Sequence, residues 1–305
     1  MLADELTLLS VLLMGFVTGA ITVSRGGVVA GGVCLGTAIL TRAAVLPILP
    51  VAIGVLAWQR RYRDAALVAC ATAIVVAPWA ARNISVSGTA WPVRSGENFF
   101  HGNSRYASAL IPTYNLDLLG EYGEDLVRRE RPDLLATFPG DETWFDLSKG
   151  QELDRFFTTK AWDDIRERPA ATLWLKVRNV AYFFWPRAVP YQVTQPDTRI
   201  ELRPDGNVVV ENTQSRPLLQ ELAYAASYSV VAGAALVGAW IRRRELRADA
   251  LLWVLLGAFA ITAVVYYPAT RHRVPVEFVL LFYAAVGFER LLPRPSPASV
   301  PVSQA

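Results

Sequence analysis

The chain has 305 residues, of which 53% are hydrophobic and 19% are charged. Its apolar residues are gathered into runs that approach the roughly 20 residues a helix needs to cross a bilayer core. The composition therefore favours a polytopic membrane protein over a soluble enzyme. A formal net charge of +3 is too small to indicate a nucleic-acid partner. Two cysteines and two histidines give no metal-ligand spacing. We predict no metal-binding residues and no cofactor, and leave a divalent-metal requirement open.

Seven apolar stretches are predicted to form the transmembrane helices of an all-α polytopic membrane protein. In chain order they are residues 6–23, 26–40, 46–58, 65–79, 218–241, 248–267 and 274–292. They divide the chain into N-terminal transmembrane helices (1–79), an extracytoplasmic loop domain (80–217), C-terminal transmembrane helices (218–292) and a Pro/Ser-rich tail (293–305). The composition of the tail predicts disorder.

Short basic loops set the predicted orientation. Residues 59–63 and 241–247 are rich in arginine, and the last apolar stretch ends between Arg290 and Arg294. Short loops with excess positive charge stay on the cytoplasmic side of a membrane. The long polar loop domain then faces outward, which predicts a multi-pass protein of the plasma or inner membrane.

The loop domain is predicted to contain two juxtamembrane helices and a β-hairpin. Residues 151–168 carry an apolar stripe opposite a charged face, which predicts an amphipathic helix. This helix either covers a membrane-level cavity or packs on its own domain. Residues 172–185 are apolar but contain Lys176 and Arg178, which are costly at the bilayer centre, so we interpret them as a helix lying in the interface. Residues 198–212 alternate in polarity around a Pro-Asp-Gly turn and predict the hairpin.

Four short motifs carry a resemblance to a known family. They are Gly-Thr-Ala-Ile-Leu-Thr-Arg (36–42), Pro-Trp-Ala-Ala-Arg-Asn (78–83), His-Gly-Asn (101–103) and Arg-His-Arg-Val-Pro-Val-Glu-Phe (271–278). In this order, around a long outer loop, they resemble bacterial glycosyltransferase family 39-like membrane proteins of the C-type superfold. Those proteins are related to dolichyl-phosphate-mannose protein mannosyltransferases and to the enzyme that adds aminoarabinose to lipid A. The resemblance covers most of residues 26–290 and rests on the order of the motifs.

The resemblance implies transfer of a sugar from a polyprenyl-phosphate donor to a lipid, glycan or protein acceptor at the outer face of the membrane. Charge-assisted bonds from arginine hold a phosphate strongly. Fixed positive charge also stabilises the negative charge that builds on the phosphate as the glycosidic bond breaks. The predicted lipid-phosphate ligands are the arginines at the outer boundary: Arg42, Arg82, Arg271 and Arg273. An arginine at a helix end is also a common snorkelling anchor, and both interpretations stay open, most evenly for Arg42 and Arg82.

Three further residues are candidates for acceptor binding. His101 and Asn103 are predicted either to orient an acceptor or to lie in satisfied loop turns. His272 stands between two arginines, whose like charges disfavour its protonation. It is predicted to be a neutral hydrogen-bond donor or an inert boundary residue. Glu277 is expected to pair with Arg273, one helical turn earlier.

The chain departs from the family at its beginning. The family's catalytic carboxylate, which deprotonates the acceptor hydroxyl, lies in the first outer loop. Here Ala-Asp-Glu-Leu (3–6) is instead similar to the opening of a middle helix. We therefore expect the N-terminal helices of the family to be missing, and activity of this chain alone is an open question. Asp4 and Glu5 are the candidates for a replacement base, the alternative being a flexible terminus without a role.

Two other functions stay open. A non-catalytic membrane module would keep the fold and bind a lipid or a partner without turnover. A transporter of lipid-linked sugar would need broken helices and polar residues near the bilayer midplane. The apolar stretches are nearly free of internal charge, which favours the glycosyltransferase over the transporter.

Overall fold

The computed structural model describes residues 2–22, 24–88, 90, 95–114, 116, 119–137, 143–189, 199–203, 207–211 and 218–291. These residues are mostly helical, with two small antiparallel hairpins, in agreement with the predicted helical class. The predicted tail, 293–305, lies outside the described residues.

The helices fall into an N-terminal group, a group in the loop domain and a C-terminal group. They are α1 (Leu2–Ile21), α2 (Arg25–Thr41), α3 (Ile48–Trp58), α4 (Tyr62–Ser87), α5 (Ser95–Asn103), α6 (Ala107–Leu110), α7 (Leu119–Glu130), α8 (Gly150–Glu167), α9 (Pro169–Phe183), α10 (Leu218–Ile241), α11 (Ala250–Val265), α12 (Thr270–Arg273) and α13 (Glu277–Leu291). The strands are β1 (Leu135–Thr137), β2 (Thr143–Phe145), β3 (Arg199–Leu202) and β4 (Val208–Glu211).

Only two described helices are long and apolar enough to cross a membrane, judged by length and composition. They are Tyr62–Val86 within α4 and α10. Four shorter apolar helices have 10–17 residues: Glu5–Ile21, Arg25–Thr41, Ala43–Trp58 and Ala250–Val265. The two long helices are a weak indication of membrane association, and seven spans do not follow from the structure.

Several helix boundaries differ from the sequence prediction. The first helix begins at Leu2, before the predicted start at residue 6, so Asp4 and Glu5 lie in its first turn, as in the opening of a helix. The fourth helix does not stop near residue 79; it continues through Pro78 and ends at Gly88, whose positive φ of 72° suits a residue without Cβ. The last predicted span, 274–292, opens with a 3-10 turn, Val274–Val276, that contains Pro275, and its α-helix begins only at Glu277.

Glycines allow the closest helix approaches. A Cβ on Gly32 of α2 would lie 2.8 Å from the Ala71 Cβ of α4. On α10, a Cβ at Gly238 would collide with the Tyr283 carbonyl oxygen of α13. Small residues at such crossings let helix backbones pack in direct contact. One apolar core, built from buried residues of both the N-terminal and the C-terminal helices, joins the two groups.

A buried polar network closes one end of the C-terminal helices. The guanidinium group of Arg242, just after α10, donates to Asp249 at 2.8 and 2.7 Å. The Tyr283 hydroxyl of α13 donates to the same carboxylate at 3.1 Å. Asp249 is only 5% exposed, and a buried carboxylate needs such partners. The network fixes α10, α11 and α13 against one another.

The loop domain, comprising α5–α9 and the four strands, contains the elements predicted for it. The amphipathic stretch forms α8, and its Leu153, Phe157 and Ala161 pack into a small core of the same domain. Helix α8 therefore packs on its own domain, and its covering of a membrane-level cavity stays a prediction. The hairpin pairs Ile200 with Val210 and Leu202 with Val208. The first hairpin and helices α5 to α7 were not predicted.

Candidate functional site

The candidate site lies at α12, the four-residue helix between α11 and α13. The chain before it is held by Thr270, whose Oγ1 accepts from the Val189 backbone N–H at 2.7 Å, and whose own N–H donates to the Val189 carbonyl. Pro275 then ends the short helix. These constraints fix the backbone of Arg271, His272 and Arg273, but the three side chains have different surroundings.

Arg271 has a buried donor that no described protein atom accepts. Its Nη2 donates to the Tyr267 hydroxyl at 3.1 Å. Its Nε is buried and has no hydrogen-bond partner among the described residues. Leaving a buried donor unsatisfied costs about 1–3 kcal/mol, and more for a charged group. The Nε of Arg168 is also buried without a described partner; at Arg271 such a donor is a candidate position for an anionic ligand.

Arg42 contributes a second positive charge to this site. It follows α2 and caps its end, where its backbone N–H donates to the Ala38 carbonyl. Burial lowers the pKa of Arg42 most, Glu5 raises it, and the charge of Arg271 lowers it further. Because the charge of Arg271 acts on the pKa of Arg42, the two guanidinium groups, far apart in sequence, are within electrostatic reach of each other in the fold. Like charges gathered at a partly buried position favour an anionic ligand.

His272 is neutral beside these arginines. It is 8% exposed, and its Nδ1 lies 3.1 Å from the Tyr267 carbonyl oxygen. Because a carbonyl can only accept, Nδ1 carries the proton and Nε2 is the free acceptor. Burial, then the charges of Arg42 and Arg271, lower the pKa of His272 to about 3. Burial outweighs like charge as the cause of this lowered pKa. A role for His272 in acceptor binding stays a prediction.

Arg273 points into the protein, where its donors have protein partners. Nη1 donates to the carbonyls of Phe183 and Trp185 at 3.1 and 3.0 Å, and Nη2 donates to the Tyr224 hydroxyl at 2.7 Å. Its Nε bonds to Glu277 at 3.0 Å, which confirms the predicted i, i+4 pair. The guanidinium carbon also lies 3.9 Å from the centre of a tyrosine ring, that of Tyr228.

At 1% exposure, Arg273 joins the end of α9 to α10 and α13. This geometry favours a positioning role, because a phosphate would have to displace protein acceptors from the guanidinium group. The prediction that Arg273 binds phosphate therefore has less support than the same prediction for Arg271.

The other predicted residues lie in different surroundings. Arg82 is exposed on α4, and its carbonyl accepts from the Ser85 hydroxyl at 2.7 Å; nothing described brings it to α12. Glu5 is exposed in α1 and acts on Arg42 through its charge. The side chain of Asp4 lies outside the described residues.

The loop-domain candidates His101 and Asn103 are both buried in α5. Asn103 donates to the Phe99 carbonyl at 2.7 Å and to the Val265 carbonyl at 3.0 Å. These bonds hold α5 against the end of α11, as expected of a satisfied structural amide. The ring of His101 packs beside Phe100 with centroids 6.2 Å apart. Acceptor binding by either residue stays a prediction.

Tyr267 is a neighbour of the site that the sequence analysis missed, and the buried contacts of Lys176 are a second feature that it missed. Tyr267 bonds Arg271 through its hydroxyl and His272 through its carbonyl, and its i−4 spacing from Arg271 was the available signal. Lys176 of α9 donates to the Gly102 and Val265 carbonyls at 3.2 Å each. Burial lowers the pKa of Lys176 to about 8. No local sequence signal marks this contact between distant elements.

In the described part of the chain, no group of three or more His, Cys, Asp or Glu side chains is arranged to hold a metal ion. Comparison with known protein families, with curated proteins and with solved structures finds no match for this chain.

Proposed function

We propose that the chain is a membrane glycosyltransferase that takes a sugar from a polyprenyl-phosphate donor. The observation that carries the proposal is the buried Nε of Arg271, which has no acceptor among the described residues and lies within electrostatic reach of Arg42. A phosphate oxygen would satisfy that donor and relieve the repulsion between the two cations. Arg82, which is exposed on α4, is proposed to anchor its helix at the membrane surface and not to bind the phosphate.

The proposal includes a membrane. The exposed apolar surface of α10 and α4 supports it, for example Leu219 at 82% and Ile74 at 74% exposure. So do the shorter apolar helices, which complete the proposed multi-pass arrangement in the inner membrane. Apolar patches of this extent indicate contact with lipid or with another protein. The loop domain is proposed to face outward.

Helix α9 is proposed to lie in the membrane interface. One face is buried through Leu175 and Asn179, whereas Leu173, Trp174 and Val177 are 68%, 62% and 53% exposed. Spacings of three and four residues place such side chains on one side of a helix. Tryptophan is favoured at headgroup depth, because its ring is apolar while its N–H needs a polar partner. With α9 in the interface, the α12 site, which is linked to the end of α9 through Arg273, is proposed to lie at the depth of a lipid phosphate.

The proposed chemistry is electrostatic. As the bond between sugar and phosphate breaks, negative charge grows on the phosphate, and Arg271 and Arg42 stabilise it without reorganising. Neutral His272 offers Nε2 as an acceptor for a hydroxyl of the donor or acceptor. Glu5 is the remaining candidate for the base that deprotonates the acceptor. Without such a base, the same site would bind the lipid phosphate without turnover.

The test measures binding and transfer separately. The purified chain in lipid nanodiscs is titrated with a polyprenyl phosphate, and membranes are assayed with a radiolabelled polyprenyl-phosphate sugar. Arg271→Gln removes a charge-assisted bond worth about 1.5–3 kcal/mol, which predicts binding weaker by about 10- to 100-fold. Arg42→Gln should have a smaller effect in the same direction.

Arg166→Gln is the matched control, because that arginine is 74% exposed on α8 and its one ion pair with a described residue is to Asp163 at 3.6 Å. Unchanged binding in the Arg271→Gln and Arg42→Gln double variant would contradict the phosphate site. Binding that depends on both arginines, with no transfer from any donor, would leave the non-catalytic module as the function.

A further inference from the structure

A groove on the loop domain, apart from the α12 site, has the features of a second binding site. It has a volume of about 400 Å³ and lies between the end of α7 and one face of α8. This is within the range of about 300–1,000 Å³ typical of small-molecule sites. The lining residues are Glu130, Arg131, Glu152, Arg155, Phe156, Thr159, Lys160 and Asp163. The six from α8 follow spacings of three and four, so a single helix face forms the wall.

The groove carries equal numbers of acidic and basic side chains, three of each. Lys160 pairs with Glu130 at 2.6 Å, and Arg131 pairs with Glu152 at 2.8 Å. These charges largely cancel, so the field in the groove favours neither an anion nor a cation. Glu130 and Glu152 are still 43% and 53% exposed. Each carboxylate has about four lone-pair positions, so both can accept further hydrogen bonds.

Arg155 adds donors that the protein does not use. Its side chain is exposed and makes no hydrogen bond or ion pair with the described residues; only its carbonyl bonds, to the Thr159 hydroxyl at 2.8 Å. A guanidinium group offers five N–H donors in a fixed plane. The groove therefore presents donors and acceptors side by side.

One aromatic ring forms an apolar surface in this polar groove. Phe156 is half-buried and is supported by Phe157, with ring centroids 5.4 Å apart. Lys160 lies 5.7 Å from the centre of the Phe156 ring, near the outer limit of a cation–π contact. The flexible side chain of Lys160 can move off the Phe156 ring. The core would stay intact, because the fully buried ring is Phe157 and not Phe156.

We propose that this groove binds an uncharged oligosaccharide, with one sugar ring against Phe156 and its hydroxyl groups bonded to the surrounding carboxylate, guanidinium and ammonium groups. A sugar hydroxyl both donates and accepts, which matches paired opposite charges better than any charged ligand does. A peptide would need apolar pockets or an open sheet edge, and this groove offers a single ring. Under the proposed function, on which this part of the inference rests, the oligosaccharide is the acceptor or part of it.

The test reads binding alone, so its failure is distinct from failure of sugar transfer. Saturation-transfer NMR on the full chain in nanodiscs uses two uncharged probes, mannotetraose and maltotetraose. We expect signal from at least one of them, with an affinity unchanged between about 0.05 and about 0.5 M NaCl, because screening does not act on a neutral ligand. Thr159→Arg, which fills the groove from an exposed position, should weaken binding by about tenfold or more.

Two further variants keep the test independent of folding. Phe156→Leu retains apolar volume but removes the ring, and should also weaken binding by about tenfold. Arg128→Gln, on α7, is the matched control, because Arg128 pairs with Glu124 and Asp125, which lie outside the groove, and it should leave the affinity unchanged. Equal affinity in Thr159→Arg and wild type would overturn the proposal. So would binding of neither sugar, or salt-sensitive binding of a charged peptide probe instead.

Discussion

Arg273 offers the clearest test of the roles assigned at α12, where Arg273 is a structural link and Arg271 is the proposed phosphate ligand. If the guanidinium group of Arg273 is a structural link, Arg273→Gln should lower the stability of the protein more than it lowers the affinity for phosphate. The side chain is 1% exposed and donates to Glu277, Tyr224 and two backbone carbonyls. Glutamine is shorter and uncharged, so it can replace only some of these bonds.

The expected loss follows from what remains unpaired. Removing one partner of a buried ion pair costs about 3–5 kcal/mol, because the other charge is left uncompensated. Glu277 is 35% exposed and recovers part of its hydration, which places the estimate near about 3 kcal/mol. At about 2 °C per kcal/mol for a large chain, Tm should fall by about 6 °C.

The assay is thermal unfolding of the purified chain in one detergent, followed by intrinsic fluorescence. Arg271→Gln is the matched variant, because Arg271 makes one described side-chain bond, to Tyr267. Its replacement loses that one bond but also removes the cost of the unsatisfied Nε, so stability should change by no more than about 1 kcal/mol in either direction. An unchanged Tm in Arg273→Gln together with lost phosphate binding would refute the assignment and restore Arg273 as a ligand.

Three other predictions concern separate parts of the molecule. The pKa of His272 is about 3 in the folded chain against an ordinary 6.5, so the unfolded chain binds the proton more readily. The free energy of unfolding of the wild type should therefore fall from pH 6.5 towards pH 3 more steeply than that of His272→Gln. Gly238→Ala should lower the free energy of unfolding by about 1–3 kcal/mol through collision with α13, whereas Gly233→Ala on the same helix, with open space around it, should raise it by about 0.5–1 kcal/mol. Trp174, 62% exposed on α9, should be quenched by brominated lipid near the headgroups.

Each of these predictions would be contradicted by a specific result. Parallel stability curves for wild type and His272→Gln, measured by denaturant titration across the acid range, would mean that the histidine is not buried in its neutral form. Equal stability of the two alanine variants would mean that α10 and α13 do not cross at Gly238. Because the chain has nine tryptophans, the expected control result is a smaller quenched fraction in Trp174→Ser than in wild type. Unchanged quenching in that variant would place α9 away from the interface.

Local patterns in the sequence determined the local structure. The apolar stripe of residues 151–168 predicted α8, and alternation around a Pro-Asp-Gly turn predicted the hairpin of β3 and β4. The Arg273–Glu277 pair was predictable as well, because residues four apart meet on any helix. Each of these depends on fewer than about twenty neighbouring residues, so no knowledge of packing was needed.

Tertiary structure decided what the arginines do. Arg271 and Arg273 are alike in sequence, two residues apart and both at an apolar boundary. Their roles separate only because Phe183, Trp185 and Tyr224, from elements far along the chain, close around Arg273, whereas the Nε of Arg271 is buried without an acceptor among the described residues. Long-range closure depends on how whole helices pack, and no local spacing encodes it. The sequence thus determined which arginines lie at the ends of the apolar stretches, and the fold determined which of their donors the described protein atoms satisfy.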